Sequence, residues 1–339
     1  VNCGTLNADG ATFANNSNSN NWGGAIGIWG GTVNISNSLF TGNTSKNSGG
    51  AIINYKADGG SQGGTTDNTV GNLTLTDCVF TKNTNKEHGG AIASWAGGTT
   101  TITGCVFGDE TDVSMGNSVT KNGGAIHVQD GHQMTVTNCK FFYNSAAVDG
   151  GAIFAQSSKK LDVTDSTFTG NVATKNGGAI LVGKTAEVRN ASFTENSGYE
   201  GGAISVTTGS TLNLHDVVCA DNTTTRALDL STYGYGDIRV ADNKSAGAVA
   251  LSGKIVATIW NNQAHAVKVV GALTADSNVI IDWRLAKLAA NHVGILFSSE
   301  EIMNASKQYI TLGIDASTTE GWELRYSAVA PWQATLVKE

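Results

Sequence analysis

Proline is almost missing from this 339-residue sequence, with Pro331 the single copy, and charged residues make up only 14% of it. Soluble domains carry roughly 25% charged residues, so this surface must be kept polar by Asn, Thr, Ser and Gly. Apolar residues still recur at regular intervals, which excludes a disordered or collagen-like chain. No apolar run reaches the roughly 18 residues of a membrane helix, so no membrane insertion by this fragment is expected. There is no basic excess either: the net charge is −7 and the pI near 5.4. That balance gives no footprint for nucleic acid or for an anionic membrane. The five cysteines form no C-x-x-C pair and the six histidines show no ligand spacing, so no metal and no cofactor are expected. The histidines, among them His88, His127 and His265, read as surface or turn residues.

What the sequence does have is a repeat. GGAI begins at Gly23, Gly49, Gly89, Gly123, Gly150, Gly177 and Gly201, and F-x-x-N begins at Phe13, Phe40, Phe80, Phe141, Phe168 and Phe193. Between them run short stretches of period-2 alternation bounded by Gly, Asn and Asp. Such a unit supplies about three short strands, too few to bury its own apolar face. Stacking copies in parallel, roughly 4.8 Å apart, encloses a continuous core. The expected fold class is all-β: a right-handed parallel β-helix of about ten coils, on the order of 48 Å long.

Aligned on Phe, the columns acquire structural roles. Asn37, Asp77, Gly104, Asn138, Asp165, Asn190 and Asp216 tolerate the left-handed backbone region and mark a corner on each coil. Asn16, Asn43, Asn83, Asn144, Asn171, Asn196, Asn222 and Asn243 are expected to form an amide ladder along the rod. Cys78, Cys105 and Cys139 share an inward column where small buried thiols serve packing, although neighbouring strands are close enough for a disulfide. Two spacings are longer: 40 residues from Gly49 to Gly89 and 34 from Gly89 to Gly123. In the second, Phe107 is followed by Glu110 instead of Asn. Asp109, Glu110 and Asp112 there read as a solvated acidic loop. The coils shorten from about residue 220 and the pattern stops after about 272. The expected organisation is a repeat domain over 1–271 and a cap over 272–339, with a short helix within 281–297 and strands after it.

The alternation of GGA[ILV] with FxxN resembles the passenger regions of chlamydial polymorphic outer-membrane proteins. It also resembles β-helical adhesin-like surface proteins of other bacteria and of gut archaea. The paired motifs cover about residues 13–204. This resemblance implies an extracellular or cell-surface rod that works in adhesion, part of a longer surface protein, with a host or matrix glycan or protein as partner. The sequence enters partway through a repeat at Val1, which fits that expectation. The family offers no catalytic residues to transfer.

Three surfaces are candidates for function. Trp29, Tyr55 and Trp95 follow GGAI on successive coils, and facing outward they would form a ligand-binding strip for sugar rings or an apolar partner patch. Thr74-x-Thr76, Thr101-x-Thr103 and Thr135-x-Thr137 align as a Thr ladder, a common use of Thr on exposed strands. Where that ladder degrades, Asp162, Glu187, Arg189 and His215 come near one another on neighbouring coils. An enzyme reading, as a polysaccharide hydrolase or lyase, would place its chemistry there. The bland reading of Glu187 and Arg189 is an exposed ion pair. A non-catalytic binding rod is the expected function, with a structural spacer as a further alternative.

Overall fold

A computed structural model of the chain describes residues 1–57, 69–156, 158–225, 236–240, 249–261, 267–282, 292–312 and 322–338. Asn243, His265 and most of the loop after Lys56 lie outside the described residues. The chain is a right-handed parallel β-helix. Each typical coil contributes four strands, one more than the sequence implied. The first is five residues long, as in Thr32–Ser36, Asn72–Thr76, Thr99–Thr103 and Gln133–Thr137. The second carries the Phe, as in Leu39–Thr41 and Val79–Thr81. The third has two residues, as in Thr44–Ser45, Thr84–Asn85 and Ser118–Val119, and builds its own eight-stranded sheet. The fourth follows Gly-Gly-Ala, as in Ile26–Trp29, Ile52–Tyr55, Ile92–Ser94 and Ile126–Val128.

Parallel, in-register pairing places like on like. Ile35, Leu75, Ile102, Val136, Val163, Val188 and Leu214 succeed one another directly and are buried. The seven Phe rings from Phe13 to Phe193 stack with centroids 4.6–4.8 Å apart and interplanar angles of 2–8°. The coil spacing thus also sets the ring spacing.

The corners explain the non-apolar consensus. The column three before Phe has φ of 47–53° at its Asn and Asp members and 65° at Gly104, the left-handed region that Asn, Asp and Gly adopt most readily. One residue later a hydroxyl or thiol closes the turn. Ser38 Oγ, Cys105 Sγ and Ser166 Oγ each donate to the carbonyl two residues back and accept the backbone N–H of the preceding coil. Cys78, Cys105 and Cys139 are buried and unbridged, so this column is a hydrogen-bonding device as well as packing.

The Asn ladder runs Asn16, Asn43, Asn83, Asn117, Asn144, Asn171, Asn196 and Asn222. Each Nδ2 donates to the next Oδ1 at 2.8–3.0 Å. From Asn43 onward each amide also donates to a Phe-column carbonyl of the coil before it. Asn117 replaces the expected residue after Phe107. The 109–116 stretch loops out, with Asp109 accepting from Thr111 and Asp112 capping a short 3-10 turn, and the ladder then resumes.

Parallel pairing runs past residue 271: Val267–Leu273 pairs with His292–Phe297, and Asn278–Asp282 with Ile310–Leu312. Antiparallel pairs, among the described residues, involve only the last two strands, Trp322–Tyr326 and Gln333–Lys338, together with His292–Phe297. The helix is Glu300–Ser306, N-capped by Ser299, with Met303 buried on the core. Of the stretch 281–297, where the sequence implied a short helix, Ile281 and Asp282 end one strand, His292–Phe297 forms another, and residues 283–291 lie outside the described residues.

Candidate functional site: an aromatic notch

The fourth strand has an unusual outward side. Ile53, Ala93, His127, Phe154 and Leu181 point away from the core yet are buried. On successive coils the residue before Gly-Gly is Trp22, Ser48 and His88, and the His88 ring lies 4.5 Å from that of His127 in this column. Asn18 makes the turn that delivers Trp22: its Oδ1 accepts from the Asn20 and Asn21 N–H groups and its Nδ2 donates to the Trp22 carbonyl at 2.9 Å. Gly27 leaves room for the Trp29 ring, since a Cβ there would lie 3.2 Å from Trp29 Nε1.

Trp29, Tyr55 and Trp95 therefore meet, but as a cluster and not as a flat stacked strip. Trp29 and Tyr55 contact edge-to-face at 5.7 Å, Tyr55 and Trp95 at 6.4 Å. Trp22 lies 5.6 Å from both Trp29 and Tyr55 and 5.9 Å from Trp95, joining three coils. All four rings are half-buried. Trp22 was not anticipated, because aligning on Phe hides it; aligning on Gly-Gly puts it in the column of Ser48 and His88.

The cluster is anchored by histidines that the sequence assigned to the surface. Trp95 Nε1–H donates to His127 Nδ1 at 2.7 Å, which requires the lone pair on Nδ1 and leaves the proton on Nε2. His127 is buried, stacks on Phe154 at 4.8 Å, and lies 4.5 Å from His88. Burial pushes His127 well below the usual histidine range and lowers His88 as well. His127 Nε2 and His88 Nδ1 are buried without a protein partner. Both were misread because their burial comes from the Gly-Gly corner, a tertiary feature with no periodic signal.

The other candidate surfaces are also defined. Register places Thr74, Thr101 and Thr135 side by side, then replaces Thr135 by Asp162, Glu187 and Asn213. Lys160 Nζ lies 2.6 Å from Asp162 and 2.8 Å from Glu187, while Arg189 takes the other Glu187 oxygen. The Lys160 ammonium and then Arg189 hold the Glu187 carboxyl below its usual range. His215 turns elsewhere, to Ser252 Oγ and Asp216 Oδ2, both at 2.9 Å. The arrangement is an ion network with both Glu187 oxygens occupied. No three His, Cys, Asp or Glu side chains among the described residues are grouped to hold a metal ion.

A stacked coil with Asn and Phe ladders and an aromatic notch on one flank defines a repeat rod, a fold in which each unit only continues its neighbour. Known families agree with this class. The family described as a right-handed β-helix region matches residues 112–223, and the Chlamydia polymorphic membrane protein repeat matches residues 37–54. The chain is thus a β-helical repeat protein with repeats like those of polymorphic membrane proteins. No curated protein and no solved structure gives a significant match.

Proposed function

We propose that the chain is a passenger-type rod of a surface-associated or secreted protein, and that it binds a host or matrix glycan or protein through Trp22, Trp29, Tyr55 and Trp95. The observation that carries this reading is the half-buried four-ring cluster. Rings held rigidly by neighbours and left partly uncovered offer contact area at low entropic cost. The repeat type supports an extracellular or cell-surface location. The occupied carboxylates around Lys160 weigh against polysaccharide cleavage, so the reading is non-catalytic.

The test is a glycan and host-protein array with the wild-type chain, Trp29→Ala and Trp22→Ala, with parallel incubations assayed for new reducing ends. Binding without product, weakened about tenfold or more by either substitution, is the expected result. Product formation abolished by Glu187→Gln would replace the proposal with an enzyme. Silence in both assays would leave a structural spacer.

A further inference from the structure

The two-residue strands and the residue after each form the floor and rim of a groove of about 580 Å³, crossing four coils from Ser17 to Thr120. Its floor carries Ser17, Thr44, Thr84 and Ser118 in register, one hydroxyl residue per coil. Its rim carries Lys46 and Lys86, which directly follow the paired residues Ser45 and Asn85 and so sit on neighbouring coils. Both lysines are exposed.

Several lysines of the described chain, Lys46 and Lys86 of this rim among them, have no ion-pair partner. Elsewhere Lys121 pairs with Glu87, Lys160 with Asp162 and Glu187, and Arg239 with Glu200. Lys46 and Lys86 meet no acid among the described residues, although the chain as a whole is at −7. Lys46 and Lys86 leave neighbouring strands roughly 4.8 Å apart, so both ammonium groups can reach one anion at the rim. The backbone beneath them is fixed beforehand: Lys46 N–H donates to the Asn18 carbonyl at 2.9 Å, and Thr120 Oγ1 donates to the Lys86 carbonyl. Asn85 Oδ1 accepts from Glu87 N–H at 2.8 Å, holding the next residue as well.

We infer that this groove binds an extended polyanionic polysaccharide, a sulfated or uronic-acid glycan laid across the coils. Hydroxyl residues, each both donor and acceptor, line the path of a polyhydroxylated chain, and the ammonium pair sits where its acid groups pass. No aromatic side chain lines the groove, so it offers no platform on which nucleic-acid bases could stack. The inference rests on reading the rod as a binder and narrows its ligand class.

The experiment measures binding of a heparin oligosaccharide, a polygalacturonate oligosaccharide, uncharged dextran and a single-stranded DNA oligonucleotide. It compares the wild-type chain, Lys46→Glu/Lys86→Glu and Trp29→Ala at two salt concentrations, with circular dichroism confirming the fold. At least one anionic glycan is expected to bind, to weaken with salt, and to lose about tenfold or more in affinity in the double lysine variant. Heparin alone would assign the anion as sulfate, polygalacturonate alone as carboxylate, and both as either. Absence of binding, or binding that ignores the lysine substitutions, overturns the inference, as does DNA binding equally well through the same lysines. If array ligands depend on Trp29 while polyanions do not bind, the aromatic site stands and this groove assignment alone falls.

Discussion

The side-chain amide of Asn83 donates to Oδ1 of Asn117 at 2.9 Å, across 34 residues of sequence. That bond bridges the outlying 109–116 stretch, and Asn117 passes the ladder on to Asn144. Its Oδ1 also accepts the Asn83 backbone N–H, and its Nδ2 reaches the Phe80 carbonyl. Asn117→Ala strands two buried donors of Asn83, while the Phe80 carbonyl and Asn144 Oδ1 keep backbone N–H partners from Gly108 and residue 117. At about 1–3 kcal/mol per buried unsatisfied group, the loss should be at least about 2 kcal/mol. Urea titration followed by circular dichroism measures it; an unchanged midpoint would mean the ladder is decorative.

The second glycine of each Gly-Gly is expected to tolerate nothing larger. A Cβ on Gly90 would stand 2.0 Å from the Gly124 carbonyl oxygen and 2.8 Å from Ser118 backbone atoms, with no flexible side chain able to yield. Gly90→Ala must push coils apart and should abolish soluble expression or cost several kcal/mol, on the order of the largest single-site effects. Gly131→Ala is the contrast. Space is open there, and only the φ of 77° is unfavourable, so the cost is about 1 kcal/mol. Equal melting temperatures for the two variants would refute the steric account.

The thiols of the inner column should be replaceable by serine and not by alanine. Cys105 Sγ accepts the Cys78 N–H at 3.3 Å, the same role Ser166 Oγ plays for Cys139 at 3.1 Å. Cys105→Ser is expected within about 1 kcal/mol of wild type, whereas Cys105→Ala strands a buried N–H at about 1–3 kcal/mol. Burial pushes the Cys139 thiol up to about 11, so no thiolate is present there at neutral pH. Equal destabilisation by Ser and Ala would remove the hydrogen-bonding role.

These sites show what the sequence could and could not disclose. The corner residues, the Phe stack and seven of the eight described ladder amides follow from aligning repeats, because register-locked stacking makes structural columns into sequence columns. Asn117 escaped because the outlying stretch breaks the F-x-x-N spacing, while its hydrogen bonds depend only on where the chain returns. The aromatic residues were found but their arrangement was not. A strip of stacked rings requires nothing between them, whereas Gly27 and the Gly-Gly corner let Trp22 fold in. Burial of His127 was invisible because position 127 is outward by alternation and is covered by a different part of the coil. The same holds for the network in which Asn54 Nδ2 meets Thr100 Oγ1 and Thr100 meets His132. There, a histidine assigned to the surface is buried against Thr100.

That network makes stability depend on pH. His132 is fully buried, with Nε2 beside Thr100 Oγ1 at 2.9 Å and Nδ1 against the Gly97 carbonyl. A neutral ring satisfies both, with Nδ1–H donating to Gly97 and Nε2 accepting from Thr100. Burial lowers its pKa to about 4, against roughly 6.5 in the unfolded chain. A depressed histidine pKa means the unfolded state binds the proton more readily. The contribution is therefore complete above about pH 6.5 and declines as pH falls through 6.5 toward 4. Over that window the loss approaches about 3 kcal/mol, and buried His127 adds to it in the same direction. Urea midpoints at pH 7.5 and pH 5 should differ accordingly, and His132→Gln, which cannot titrate, should flatten the difference. A midpoint independent of pH in the wild-type chain, or an unaltered slope in His132→Gln, would show that the acid sensitivity does not originate at this ring.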